Sequence, residues 1–191
     1  MVRTIKLYQN FNIKNNHKNS IILIGNFDGL HVGHQKLFSL AKKYKKKHKI
    51  KIGVFTFEPM PKMFFNKKLK NFRISNKIQK IDLLEKFGVD FVIIKRFDKN
   101  FSKIKSIDFI KNILNKKLNA KFIFVSNNFR FGNKREGNVK QLIKYEEICN
   151  YKIIKPQPLL TKKKVISSTL IRNFLQNGKL NKANKLLKRN W

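Results

Sequence analysis

Two histidines, His31 and His34, stand three positions apart around Gly33 in the stretch SIILIGNFDGLHVGH, residues 20–34. At that spacing on the first turn of a helix, both imidazoles can point toward one space above it. Gly33 carries no side chain, so a phosphate can approach the backbone closely there. The preceding Gly25, Asn26, Asp28 and Gly29 supply tight-turn chemistry and tolerate unusual backbone angles. Free N–H groups and the helix dipole make such a junction a natural phosphate seat. The same spacing would also suit one buried, hydrogen-bonded histidine beside an exposed one. A second anion seat is suggested by VISSTLIRNFLQNG, residues 165–178. There Ser167 and Ser168 are N-cap candidates, and Arg172 in the first turn offers a planar fork to phosphate oxygens. Taken alone, that segment reads first as an ordinary capped helix.

These residues need a frame to hold them. Ile21, Ile22, Leu23 and Ile24 form a short apolar run suited to a strand buried on both faces. Leu37, Phe38 and Ala41 then share one side of a helix running from Gln35 to about Lys47. Further strands are expected at 50–57, 91–94, 121–125 and 151–155, after a short strand near Ile5 and Leu7. Helices are expected at 74–87, 106–118 (with Ser106 as its cap), 137–148 and from Ser167 to Gly178. This alternation predicts an α/β fold, a parallel sheet with helices on both faces and right-handed crossovers. Pro59 and Pro61 stop the 50–57 strand, leaving Glu58 at its C-terminal edge, where open α/β sheets bind ligands. After the 121–125 strand, VSNNFRFGNKREGN reads as a loop. Its Phe129 and Phe131 either stack on a planar ring or anchor the loop.

Composition narrows the class. The chain has 191 residues, 41% of them hydrophobic, which suits one domain with a substantial core. No apolar run approaches the roughly 20 residues of a membrane span, and the N-terminus lacks a secretory h-region. A single cysteine, Cys149, excludes a disulfide framework and a multi-cysteine metal site. A cytoplasmic protein, monomeric and without a membrane partner, is the expectation. Lys and Arg number 45 against 10 Asp and Glu, a formal charge of +35. The basic residues run along the whole chain, and Lys, Asn, Ile and Phe are what A/T-rich codons specify. The charge therefore reads as compositional drift, with non-specific polyanion binding as its physical consequence. The lysines of KKYKKKHK are expected to form a solvated helical face.

GNFDGLHVGH resembles the first signature of the bacterial FMN adenylyltransferase (FAD synthetase) module, within the H-x-G-H nucleotidylyltransferase superfamily. TFEPMP resembles the family's T-F-E-P-x-P segment, with Met60 where histidine is common. SNNFRFG resembles its V-G-x-[DN]-F-x-F-G segment, Ser126 standing for the usual glycine, and ISSTLIR matches I-S-S-T-x-I-R. The resemblance spans most of the chain.

The resemblance implies a Rossmann-like nucleotidylyltransferase fold and a single FMN adenylyltransferase domain over residues 1–191. The riboflavin kinase domain that follows in the bifunctional enzymes is expected to be absent, because KLLKRNW stops near where it starts. The implied reaction is ATP + FMN to FAD and pyrophosphate. His31, His34 and Arg172 are the implied catalytic residues. Gly25, Asn26, Phe27, Asp28, Gly29, Gly33, Ser167, Ser168 and Thr169 would bind ATP. Glu58, Pro59, Asn128, Phe129, Phe131 and Gly132 would bind the flavin. Mg²⁺ would bridge phosphates and keep most of its waters, with Asp28 the best-placed carboxylate either to approach it or to structure the loop.

Overall fold

The computed structural model describes residues 5–69, 72–161 and 164–191. Its strands, in chain order, are β1 (Lys6–Tyr8), β2 (Ile21–Ile24), β3 (Ile52–Glu58), β4 (Phe91–Arg96), β5 (Phe122–Phe124), β6 (Arg130–Phe131), β7 (Gly137–Asn138), β8 (Lys152–Ile154), β9 (Leu160–Thr161) and β10 (Lys164–Val165). Six of them make one sheet in the order β1-β4-β3-β2-β5-β8. Every pairing within it is parallel. The chain leaves β2 toward β3 and β4 on one side, then returns to β5 and β8 on the other. That reversal between β2 and β5 is the switch point at which open α/β sheets form a ligand crevice.

The helices are α1 (Val32–His48), α2 (Pro61–Phe65), α3 (Lys77–Lys86), α4 (Lys99–Ser102), α5 (Ser106–Asp108), α6 (Val139–Lys144), α7 (Ser168–Gln176) and α8 (Leu180–Leu187). The alternating residues of the strands divide between two cores. Ile22, Ile24, Phe55 and Ile123 face Phe109, Ile110 and Leu114. Ile21, Leu23, Val54 and Phe124 face Leu37, Phe38 and Ala41 of α1 and Leu84 of α3. Each fully buried Leu or Phe of these sets contributes about 1.5–3 kcal/mol relative to exposure. A third, smaller core joins α7 and α8 to Ile74 and Ile166.

Several elements depart from the sequence expectations, each for a local reason. α3 starts at Lys77, not Ile74, because Asn76 caps it in a reciprocal pair with Gln79. The 106–118 helix begins as α5 and continues as a π-helix, Phe109–Lys117. Ser106 is not its cap; the Ser106 N–H donates to Glu136 at 2.6 Å. The expected 137–148 helix shrinks to α6, since Gly137 and Asn138 pair with Phe131 and Arg130 and Asn138 caps Gln141. The β9–β10 hairpin, α2, α4 and α8 have no counterpart among the elements expected from sequence.

Carboxylates repeatedly bind backbone. Asp90 accepts from the Ile52 N–H at 2.8 Å and pairs with Lys45 at 2.6 Å. Glu85 accepts from Ile5, Asp98 from Phe101 and Glu146 from Ile153. Lys45 is thus no part of a free solvated face, although Lys42, Lys43, Lys46, Lys47 and Lys49 are exposed as expected.

Candidate active site

β2 delivers the chain into a loop that crosses the switch point. Phe27 turns it in the left-handed region, at φ 47°, and a 3-10 turn, Asp28–Leu30, leads to His31, the N-cap of α1. The His31 and His34 rings stack, with centroids 3.7 Å apart and planes at 21°. Phe27 meets His34 edge-on at 5.2 Å. Both histidines do look into one space, and neither Nδ1, buried in each case, has a hydrogen-bond partner. Gly33 gives its missing side-chain volume to the neighbouring ring, because a Cβ there would lie 3.1 Å from His31.

Burial lowers the His31 pKa to about 4; Asp28 opposes that shift and Arg172 adds to it. His34 is held well below 6.5 by burial, then by the neighbouring His31 and by Lys80. At neutral pH the pair is uncharged.

Asp28 is 1% exposed and fully engaged. Its carboxylate accepts from the Ile74 N–H at 3.1 Å and the Ser75 N–H at 3.2 Å, and it pairs with Arg172 at 2.6 Å. Of the two roles open to Asp28, these contacts are those of a loop-structuring carboxylate. Among the described residues no cluster of three or more His, Cys, Asp or Glu could hold a metal. The side chains therefore do not fit a protein cage for Mg²⁺.

Arg172 lines the cleft, and part of its guanidinium is committed to neighbouring groups. Its Nε donates to the Phe72 carbonyl at 2.7 Å and its guanidinium lies 3.8 Å from the Phe72 ring centroid. Gly29 is not among the residues lining the cleft. It sits at φ +77° with its N–H on the Ser75 hydroxyl, and a Cβ there would meet Ile74 at 2.8 Å. Residues 72–75 thus clamp the loop from behind, and Trp191 clamps them in turn by donating its indole N–H to the Ile74 carbonyl at 2.7 Å.

α7 starts as expected. The Ser167 hydroxyl accepts from the Leu170 N–H, while Ser168 donates to the Asp28 carbonyl at 2.9 Å. Its N-terminus and the histidine loop therefore face each other across a cleft of ≈ 1090 Å³. Gly25 to Asp28, His31, Gly33, His34, Ser167 to Thr169 and Arg172 line it.

Aromatic side chains line much of the cleft. Phe57, Phe97 and Phe101, none singled out from sequence, line it with Phe129 and Asn128. Their signal was the recurrence of Phe at the C-terminal end of β3 and in the segment following β4. Phe131 and Gly132 also line the cleft; Phe131 is 7% exposed and packs on Phe109 at 5.1 Å, so it anchors the loop too, and the half-buried Phe129 stacks on it at 5.5 Å. Gly132, at φ +76°, lets the loop pass against Ser106, which a Cβ would approach to 2.8 Å. Glu58 and Pro59 do not line the cleft, and Glu58 is paired with Arg73. Met60 is buried, 2% exposed.

A parallel sheet of this order, with paired histidines between a strand and a helix at its switch point, defines a Rossmann-like nucleotidylyltransferase fold. The chain belongs to the FAD synthetase family, whose model matches residues 13–170. It is 42% identical over 179 residues to the bifunctional riboflavin kinase/FMN adenylyltransferase of Buchnera aphidicola subsp. Schizaphis graminum, covering 93% of this chain and 57% of that protein. The protein of the same name from Escherichia coli K12 is 34% identical over 167 residues, 87% of this chain and 53% of that one. The chain thus spans a little over half the length of these relatives. A crystal structure described as a macrolide-efflux protein from Streptococcus pneumoniae shares the fold, with a TM-score of 0.84 at 27% identity over 97% of this chain and 60% of that one. Among the described residues no helix is long and apolar enough to cross a membrane.

Proposed function

We propose that this chain transfers the AMP moiety of ATP to FMN, giving FAD and pyrophosphate. The observation that carries the reading is the stacked His31–His34 pair at the mouth of α1, facing the α7 N-terminus across the switch-point cleft. The cleft has two chemically distinct kinds of lining. One is helix N-termini and imidazoles, which suit phosphates. The other is Phe57, Phe97, Phe101 and Phe129, which suit a planar ring.

An oxygen of the FMN phosphate attacks the α-phosphorus of ATP, forming one P–O bond as the bond to the bridging α–β oxygen breaks. The electron pair leaves with pyrophosphate. No protein nucleophile is required, so the protein contributes positioning and charge stabilisation. With the proton on Nε2, each neutral histidine donates a hydrogen bond to a phosphate oxygen as charge develops. Ser167, Thr169 and the free N–H groups of α7 receive the departing phosphates. Arg172 holds Asp28, and through it the loop, in place. Mg²⁺ would enter with the ATP phosphates, keeping its waters. The same reading has the enzyme working in the cytoplasm as a monomer, with polyanions as non-specific competitors.

Incubation with ATP, Mg²⁺ and FMN should yield FAD and pyrophosphate by chromatography. Adenylylation of a pantetheine or nicotinamide phosphate with FMN left untouched would replace this substrate assignment.

A further inference from the structure

The histidine loop enters α1 through strained backbone. Leu30, the residue before His31, is a non-glycine residue in the left-handed region, at φ 39°. Such a conformation persists only where its surroundings hold it. One side chain of α1 supplies that hold. The Gln35 amide nitrogen donates to the Leu30 carbonyl at 3.0 Å and to the Leu187 carbonyl, also at 3.0 Å. Both partners are acceptors, so the amide uses both of its hydrogens and its orientation is fixed. Among the described residues no other group donates to the Leu30 carbonyl. The Gln35 main-chain N–H meanwhile donates to the His31 carbonyl at 3.0 Å. One residue thus grips the carbonyls immediately before and after the His31 α-carbon. Its far contact is with the opposite wall of the cleft. Leu187 ends α8, and it packs with Ile171 of α7 and with Ile166, the neighbour of Ser167. Gln35 therefore ties the start of the histidine helix to the helix pair that presents Ser167 to Thr169.

We propose that Gln35 is a positioning residue, whose two hydrogen bonds set the His31 ring against the α7 N-terminus at the separation that adenylyl transfer requires. The proposal rests on the adenylyl-transfer reading and deepens it. Gln35 does not line the cleft, so it acts through His31. A preorganised donor accelerates a reaction only when it is held where charge develops, and a misplacement of about 1 Å costs on the order of 10²-fold. The His31 Nδ1 has no hydrogen-bond partner to fix the ring. The ring therefore takes its placement from packing and from the backbone that Gln35 holds. An amide is the group this position requires. A carboxylate there would turn an oxygen toward two carbonyl oxygens and repel both. Those carbonyls would raise its pKa, and once protonated it would have one O–H, enough for one of the two.

The test compares Gln35→Met and Gln35→Glu with the wild type in steady-state FAD synthesis, in urea titration and in NMR of the histidine rings. Gln35→Met keeps the length of the side chain and removes both donors. It should stay folded, lower kcat about tenfold and leave KM for ATP and FMN nearly unchanged, because placement and not binding is lost. Gln35→Glu should be the poorer enzyme at about pH 8 and should recover relative to wild type toward about pH 6, as the carboxyl gains its proton. The His31 ring resonances should move in Gln35→Met and return toward their wild-type positions as Gln35→Glu is acidified. Should Gln35→Met misfold, the pH dependence of Gln35→Glu decides alone. A folded Gln35→Met with wild-type kcat overturns the proposal, and so does a Gln35→Glu whose activity relative to wild type is flat with pH. A wild type that forms no FAD overturns the FMN reading instead. The Gln35 comparison is then read from the His31 resonances, which need no turnover, and unmoved resonances overturn it.

Discussion

Arg172 reaches back across 144 residues of chain to hold Asp28 at 2.6 Å, with the guanidinium 15% and the carboxylate 2% exposed. The pair joins the α7 N-terminus to the loop that carries both histidines. Removing one partner leaves a buried charge, which costs about 3–5 kcal/mol. Arg172→Ala should lose that order of stability in urea titration and lower FAD synthesis as the loop relaxes. Unchanged stability would mean that the ion pair does not hold the loop.

His31→Ala and His34→Ala should each lower kcat by roughly 10²–10³, the cost of one preorganised donor to transition-state charge. FMN affinity should change little. Steady-state kinetics with FMN and ATP varied separately decides it; a near-normal kcat in a folded variant would return the ring to a packing role.

Acid should weaken the fold through His31. Its pKa falls from 6.5 unfolded to about 4 folded, so the unfolded chain binds more protons in that window. Stability is then fully present above pH 6.5 and declines as pH falls toward 4. At about 1.4 kcal/mol per pKa unit the loss is on the order of 3 kcal/mol. Chemical denaturation at pH 7 and pH 5 should show it, with a smaller difference in His31→Gln.

The two loop phenylalanines should separate cleanly. Phe131→Ala opens a cavity against Phe109 and should cost about 3 kcal/mol. Phe129→Ala, half-buried at the cleft, should spare the fold and raise KM for FMN. Equal stability losses would make both of them anchors.

Replacing Lys43, Lys46 and Lys47 by Gln, with Lys45 left on Asp90, should weaken RNA binding in low-salt filter assays. The salt slope should fall by about 0.9 for each phosphate of a double helix that the protein no longer neutralises. FAD synthesis without RNA should be unchanged, because these side chains lie in the C-terminal half of α1.

The fold was legible because buried parallel strands such as Ile21–Ile24 announce themselves as apolar runs, and because glycines and serines mark helix ends. The histidine pair was legible because His31 and His34 are neighbours in sequence. What sequence could not give was partnership over distance. Nothing in the local pattern says that Arg172 spends its fork on Asp28 and Phe72, that Glu58 belongs to Arg73, or that Glu136 meets Ser106. Phe129 and Phe131 alternate within one short loop, yet only packing against Phe109 assigns the second to the core. α8 escaped because its helical stripe is short and interrupted by Lys and Asn.

The carboxylates that bind backbone have a practical consequence for anyone redesigning this surface. Six of the ten, Asp28, Glu85, Asp90, Asp98, Glu136 and Glu146, accept a main-chain N–H. Another lysine at any of them would set a cation against an amide dipole pointing the same way. Exposed lysines face no such constraint. The protein can be neutralised from its periphery by Lys→Glu exchange, whereas adding cations at these six carboxylates would break backbone contacts. A neutralised version should tolerate dilute buffer better, because its parts would repel one another less.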